Sequence, residues 1–552
     1  MSDHEQNIIT SAEKPPSPQS RVRRRRRIAV IAATAIAILS AIGFLGALYP
    51  SMFIPLFILD PWAAIPEATP EEIAKVHEPE ALRADLDAIV ALHERTCPNP
   101  YLRVSRESIL ALAERLKGAI DRPLTRREFL PLVMELQAGY RCDHYYQGVP
   151  SEDLAAAFAR GERLLPFRAA PKDDALVVVA VAEAEQGIQP GDTIVRIGNV
   201  SAADHLVRLR ALVPAETART RDTFVRNSFH VLSWVAGVSL PTDVELVRSD
   251  GSRHTVTVEG VGGSARRKDR KERTMPAGSP PSASVTVRGE VLVDSPPFRC
   301  LLLPRDQSGA APIAFIDFPS SDYMLSGQWD GFIDQAITAA NARGAAGLIV
   351  DIRENRGGTI QFGDDLLARI TDRPFRGMSR IVTRRSAESD EMMRLAVKPM
   401  WRWLLIGVVL PINRPWYVKL EHGEDLLDTI AVESPPRVEP RFDGPTCLLT
   451  GDGTFSAAVV LADAARTYDL MLTIGEPTGG CPNQIGHIGP FQLPSSRIVV
   501  NFAQRVYLRA SGDESDVGPV VPHIEVNPVP GRDAALERAV EEIRRMQAEK
   551  KE

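Results

Sequence analysis

The sequence predicts a multidomain α/β protein: an N-terminal transmembrane helix, a small helical domain, a β domain, and a larger domain on a largely parallel sheet. Three observations carry that prediction. The chain has 552 residues, several times the ~150 of an average domain. Its apolar pattern changes along the chain from helical spacing to β-branched runs, and then to short apolar runs alternating with helices. A block of arginines also precedes a long uncharged stretch. Hydrophobic residues make up 44% and charged residues 25%, which excludes a collagen-like or wholly disordered chain. The net charge is −6, and residues 1–27 hold seven basic and three acidic side chains, a local +4 that leaves the rest at −10. A body that acidic gives no electrostatic basis for binding nucleic acid.

Arg21 and Arg23 to Arg27 stand before residues 28–48, which carry no charge; the next acidic group is Asp60. Twenty-one residues at 1.5 Å each span about 30 Å of hydrocarbon, and signal-peptide cores are shorter, ~7–15 residues. The expectation is an uncleaved anchor over 28–48 with a disordered cytoplasmic tail over 1–27. Arginines before the span hold that end inside, so the body lies on the far side of the cell membrane, single-pass and periplasmic.

Residues 70–150 read as a helical domain, with Ile109, Leu112, Leu116 and Ile120 on one helical face and Phe129, Leu132, Val133 and Leu136 on another. Thr125 and Glu128 have capping-box spacing, and Pro131 is expected to kink that helix early. Residues 160–260 turn to β-branched runs at 176–181, 193–197, 244–247 and 255–258, the last two flanking the hairpin signal Ser249-Asp250-Gly251-Ser252. A helix is expected at 217–235. Residues 261–286, basic and then rich in Pro and Ser, form a linker. From 287 to 530 strands expected at 314–318, 347–351, 446–450 and 471–474 alternate with helices at 332–342, 362–370 and 456–467, and 531–552 closes the chain as a helix. Continuous apolar strands between helices make a parallel sheet covered on both faces, with chemistry beyond the carboxyl ends of its strands. The apolar segment 401–411 is too short to span a bilayer; it suits a core or lid segment, or a surface lying on the membrane.

Two strand-to-helix turns meet that rule. Asp351-Ile352-Arg353-Glu354-Asn355-Arg356-Gly357-Gly358 can turn its amides toward an anion. Gly451-Asp452-Gly453-Thr454-Phe455-Ser456-Ala457-Ala458 sets Ser456 at a helix N-terminus, where a plain capping role is the bland reading. Neither turn is a nucleotide-binding loop, and GxSxG is absent. No zinc-finger spacing or HExxH occurs, so no metal and no cofactor is expected. The five cysteines, Cys97, Cys142, Cys300, Cys447 and Cys481, leave at least one thiol unpaired; Cys97 with Cys142 is the pair to test first, and five unpaired thiols is the alternative.

These turns, with Gly475-Glu476-Pro477-Thr478-Gly479-Gly480 and a late Gly518-Pro519-Val520-Val521-Pro522-His523-Ile524-Glu525-Val526, resemble the carboxyl-terminal-processing and tricorn-core family of serine peptidases over roughly residues 85–545. The resemblance extends to Pro98-Asn99-Pro100-Tyr101, to Asp143-His144, and to a PDZ-like stretch, Gly187 to Asn199, within the β domain. It implies a ClpP/crotonase-like catalytic domain and a polypeptide substrate. Ser456 would be the nucleophile, with no lysine in the turn 479–484 to activate it, so His144 is implied as base and Glu514, or Asp516, as the late carboxylate. Oxyanion donors would be the amides of Gly357 or Gly358 and of Ala457, with Asn355, Gly479 and Gly480 at the substrate. His523, Val459 and Asp143 depart from the family pattern, and His487 and His523 are rival bases. A silent member binding peptide or an apolar ligand, or a PDZ-based scaffold, are the alternatives.

Overall fold

The structure is a computed structural model that describes residues 61–146, 148–182, 187–262, 287–304, 311–396, 426–437, 439–529 and 531–549. The expected anchor at 28–48, most of the linker and the segment 401–411 lie outside these residues. Among the described residues no helix is long and apolar enough to cross a membrane.

Helices α1 (Pro79–Thr96), α2 (Arg106–Gly118), α3 (Arg126–Gly139) and α4 (Ser151–Ala159) form the first layer. The side chain of Ser105 caps α2, and Thr125 and Glu128 close a reciprocal capping box on α3, each cap satisfying amides that a helix start leaves unpaired. Pro131 falls in the second turn of α3, which runs on to Gly139.

The β domain is an antiparallel sheet in chain order, β1 (Phe167–Lys172), β2 (Ala175–Val181), β3 (Thr193–Ile197), β4 (Thr242–Val247) and β5 (Arg253–Val258), with Val200–Ser201 paired on β3. Helices α5 (Ala202–Ala211) and α6 (Ala218–Val235) lie between β3 and β4 in sequence. Leu206, Leu209, Phe229 and Leu232 pack with Leu176, Val178 and Ile194 in one core that continues into the helical domain through Leu86, Ile89, Phe129 and Leu136.

The third part holds β6 (Glu290–Ser295), β7 (Phe298–Leu302), β8 (Ile313–Asp317), α7 (Ser326–Ala342), β9 (Gly347–Asp351), α8 (Gln361–Ala368), β10 (Arg380–Arg384), α9 (Ala387–Ala396), β11 (Leu426–Ile430), β12 (Thr446–Thr450), α10 (Ala457–Thr467), β13 (Leu472–Gly475), β14 (Gln484–Gln492), β15 (Val499–Leu508), β16 (Ile524–Glu525) and α11 (Ala534–Glu549). Its main sheet runs β16-β13-β12-β9-β8-β7-β6; the pairs from β8 to β16 are parallel, while β7 and β6 add an antiparallel edge. Alternate residues face opposite layers, as a strand requires. Leu348, Val350 and Leu448 meet α7, α8 and α10; Ile349, Cys447 and Leu449 meet Ala535, Ala539 and Ile543 of α11.

A second sheet, β11-β10-β15-β14, is wholly antiparallel. It joins the helical domain to the main sheet: Val500, Phe502 and Ala503 of β15 enter the helical core, and buried Asp85 of α1 accepts the amides of Ser495 and Ser496 at 3.0 and 2.7 Å. The architecture is therefore multidomain α/β with mixed sheets, the largest of them mainly parallel.

Candidate active site

Three loops leave neighbouring parallel strands at their carboxyl ends and lock together. The Thr454 hydroxyl donates to Ile352 O at 2.9 Å, the Phe455 amide to Asn355 O at 3.0 Å, and the Gly479 amide to Thr454 O at 3.0 Å. Ser456 emerges from the middle loop with φ 54° and ψ −118°, a left-handed conformation that costs a non-glycine residue of order 1–3 kcal/mol and recurs at functional sites. Its hydroxyl makes no cap bond to α10, so the capping role does not describe it.

His144 lies in a 3-10 turn, Asp143–Tyr145, that the helical domain presses against β14 and β15. Tyr145 is buried and stacked on His93 at 3.9 Å, and Asn501 of β15 donates to Tyr146 O at 3.1 Å. So anchored, His144 Nε2 stands 3.1 Å from Ser456 Oγ, although 312 residues separate them. The ring rests on Phe455, centroids 5.0 Å apart. A side chain at Gly486 would place its Cβ 3.8 Å from that same nitrogen. Burial, and then the Arg103 guanidinium, lower the imidazole pKa to about 4, which keeps it neutral at physiological pH.

The glycine turn sits directly behind the serine. Gly357 (φ 88°) and Gly358 (φ 133°) both hold positive φ; a Cβ on the first would lie 2.7 Å from Ser456 Cβ, and on the second 2.1 Å from Ser321 O. The Gly357 amide is already bonded to Asn355 Oδ1 at 2.9 Å, whereas the Gly358 amide has no acceptor among the described residues. The turn stands beside Ala457, the first residue of α10.

Several sequence-derived assignments require correction. Asn355 is fully buried, donates to Phe318 O at 3.0 Å and accepts the Gly357 amide, so its side chain is spent on building the glycine turn. Gly479 and Gly480 are buried, where a Cβ would meet Asp452 O at 2.2 Å and the Phe455 ring at 2.9 Å respectively, so they are packing glycines. Glu514 is 63% exposed and ion-paired with Arg380 at 3.0 Å, and Asp516, 49% exposed, pairs with Arg509; neither touches His144. His487 is held by Gln504, and burial lowers its pKa to about 3. His523 Nδ1 accepts the Thr473 amide at 3.1 Å, just ahead of β16. All five cysteines are free and buried, which settles the Cys97 and Cys142 question on the unpaired side.

Sequence reading missed a buried polar cluster next to His144. Glu216, one residue before the cap of α6, has a side chain only 1% exposed, with an oxygen 3.4 Å from the Arg103 guanidinium, itself 6% exposed. Its other oxygen accepts the Cys481 amide at 2.9 Å, and its own amide donates to Asp143 Oδ1 at 2.6 Å. Burial, and then the neighbouring Glu216, hold the Asp143 carboxyl well above the carboxylate range; burial also raises Glu216, against the pull of Arg103. Cys142, His144 and Glu216 each place a donor atom within 4.8 Å of the others. These are the donor types of a soft-metal site, but the guanidinium shares the pocket and opposes a cation. The only sequence signal was an acidic residue ahead of a Thr-capped helix, a pattern common on surfaces.

Residues 312–526 match the sequence profile of peptidase family S41. They form a family S41 peptidase domain. With it the chain is a serine-type peptidase, acting on polypeptides. Mature CPAF shares the fold of nearly the whole chain, at TM-score 0.55 and 17% identity, covering 84% of this chain and 96% of that one. A serine-to-alanine CPAF mutant aligns at TM-score 0.59 and 16% identity over the same shares. The tricorn protease aligns at TM-score 0.35 and 14% identity, over 85% of this chain and 37% of its own. No curated protein sequence matches the chain.

Proposed function

We propose that this S41 peptidase is an endopeptidase in which Ser456 is the nucleophile and His144 its general base, anchored in the cell membrane with its body in the periplasm. The observation that carries the catalytic part is the 3.1 Å contact between His144 Nε2 and Ser456 Oγ. In this reading neutral His144 takes the hydroxyl proton as Oγ attacks a peptide carbonyl. The amides of Gly358 and Ala457 receive the oxyanion, and the imidazolium returns its proton to the leaving amine. Water then repeats the sequence on the acyl-enzyme. The β domain, PDZ-like in its Gly187 to Asn199 stretch, would present a chain end along a sheet edge.

Labelling of Ser456 by a fluorophosphonate tests this reading. Wild type should label, and Ser456→Ala should not. His144→Ala should label at least about 100-fold more slowly, in the range for loss of a general base. The base must be neutral to act, so the labelling rate should rise with pH and level off above its pKa. Since burial depresses that pKa to about 4, the rate should already be flat by pH 6; a rise centred near 6.5 would describe an exposed histidine and a different base.

Anchoring and location rest on the arginines at 21–27 and the uncharged residues 28–48. An alkaline phosphatase fused after Glu552 should be active, because that enzyme matures only outside the cytoplasm; an inactive fusion with normal expression would overturn the topology.

A further inference from the structure

The imidazolium formed during turnover needs a counter-charge, and the two late carboxylates that the sequence offers point elsewhere. What the site does contain is a set of buried atoms without a hydrogen bond: Arg103 Nε and Nη1, Asp143 Oδ2, and two that matter here. With Nε2 engaged by Ser456, His144 Nδ1 is buried and has no hydrogen-bond partner. Glu216 Oε1 is also buried without a hydrogen bond, with the Arg103 guanidinium 3.4 Å away and the Asp143 carboxyl beside the same residue. Leaving one such group unpaired costs ~1–3 kcal/mol, so two on adjacent side chains mark a site that completes itself in another state. A Glu216 oxygen already lies within 4.8 Å of a His144 ring nitrogen, a gap that one water or a small ring rotation closes; catalytic hydrogen bonds often tighten only on substrate binding.

We propose that Glu216, delivered by the β domain, is the positioning carboxylate of this peptidase, accepting a hydrogen bond from the Nδ1–H of His144 as Nε2 takes the proton of Ser456. The proposal rests on the Ser456 and His144 reading above and adds where the third group comes from. Glu216 is held for the task on three sides: Asp143 accepts its amide, Cys481 donates to one oxygen and Arg103 fixes the other. The first two turns of α6 then tie that placement to the loops around Ser456. Thr220 donates to Gly479 O, Thr223 to Asp452, and Arg219 pairs with Glu476. The docking of the β domain thereby sets the orientation and tautomer of a base that belongs to the helical domain, for a nucleophile on the peptidase domain.

The test uses the full-length chain and the fluorophosphonate labelling rate of Ser456, with melting temperature as control. Glu216→Gln keeps the shape and can still accept the Cys481 amide. It should slow labelling at least 100-fold while melting within a few degrees of wild type. Glu216→Asp, which keeps the charge but retracts the oxygen by one methylene, should recover at least tenfold of that loss yet stay slower than wild type. The pH profile supplies a readout that a structural role would not move. His144 faces Arg103 and Cys142 of the helical domain, Asp143 of its own turn and Glu216 of the β domain, so removing the Glu216 charge should shift the acid limb to lower pH. Glu514→Gln should cost at least tenfold less than Glu216→Gln. A Glu216→Gln protein that labels at the wild-type rate, with Ser456→Ala still silent, overturns this proposal and leaves the serine and histidine roles standing. A larger loss at Glu514 than at Glu216 also overturns it. If Glu216→Gln does not fold, Glu216→Asp decides, and a wild-type rate there overturns it. A wild-type protein that never labels overturns both readings.

Discussion

Replacing Ser456 by alanine should lower kcat by at least about 10⁴-fold while leaving the fold intact. Removing the nucleophile from a unit of cooperating residues costs as much as removing the whole unit, so Ser456→Ala and the Ser456→Ala/His144→Ala double variant should be equally inactive. Stability should stay within about 1 kcal/mol, since loss of a helix cap costs about that much and this serine makes no cap bond. Ser456→Gly should be equally inactive but more stable than Ser456→Ala, by about 1 kcal/mol, because glycine accepts positive φ without the Cβ penalty. Turnover with paired melting curves checks this. Parallel loss of activity and folding in Ser456→Ala would mean that the residue is structural.

The second large effect belongs to the glycine turn. Gly358→Ala places a methyl 2.1 Å from Ser321 O at a φ of 133°, against backbone that cannot rotate away. Strain and overpacking together predict a loss of about 3 kcal/mol or more. The turn must part from Ser321, whose amide and carbonyl hold Gly357 O and the Thr359 amide, so the remaining activity should fall a further 10²–10³-fold through the displaced oxyanion donor. Chemical denaturation and kcat on the surviving folded fraction measure the two parts separately. An alanine variant with unchanged kcat would remove Gly358 from the oxyanion role.

The parts of this molecule written in one stretch of chain were readable. Strands 347–351 and 446–450 coincide with β9 and β12 because both are continuous apolar runs closed by loops rich in glycine, and the Thr125 and Glu128 box marks the start of α3 to the residue. The antiparallel sheet of β10, β11, β14 and β15 was not foreseen. In β15 the buried Asn501 and Gln504 break the apolar alternation, and in β14 Gly486, Gly489 and Pro490 hide a strand behind turn-forming residues. Helix α7 starts six residues before the expected 332, since Leu325 gives it no side-chain cap to signal the start. At the site, the distinction between Glu216 and Glu514 is purely one of tertiary placement: one side chain is 1% exposed and the other 63%, and neither sequence neighbourhood encodes that difference.

The five free thiols carry a consequence for the chemical ageing of the molecule. Burial pushes Cys97, Cys300 and Cys447 to about 12 and drives Cys142 and Cys481 upward as well. The thiolate is the form that oxidants and alkylating agents attack, and at neutral pH these side chains scarcely supply it. Once folded, the enzyme should therefore react slowly with peroxide and disulfide reagents at these five positions. Its exposure to both is confined to the interval before the cores close over Cys97, Cys300 and Cys447.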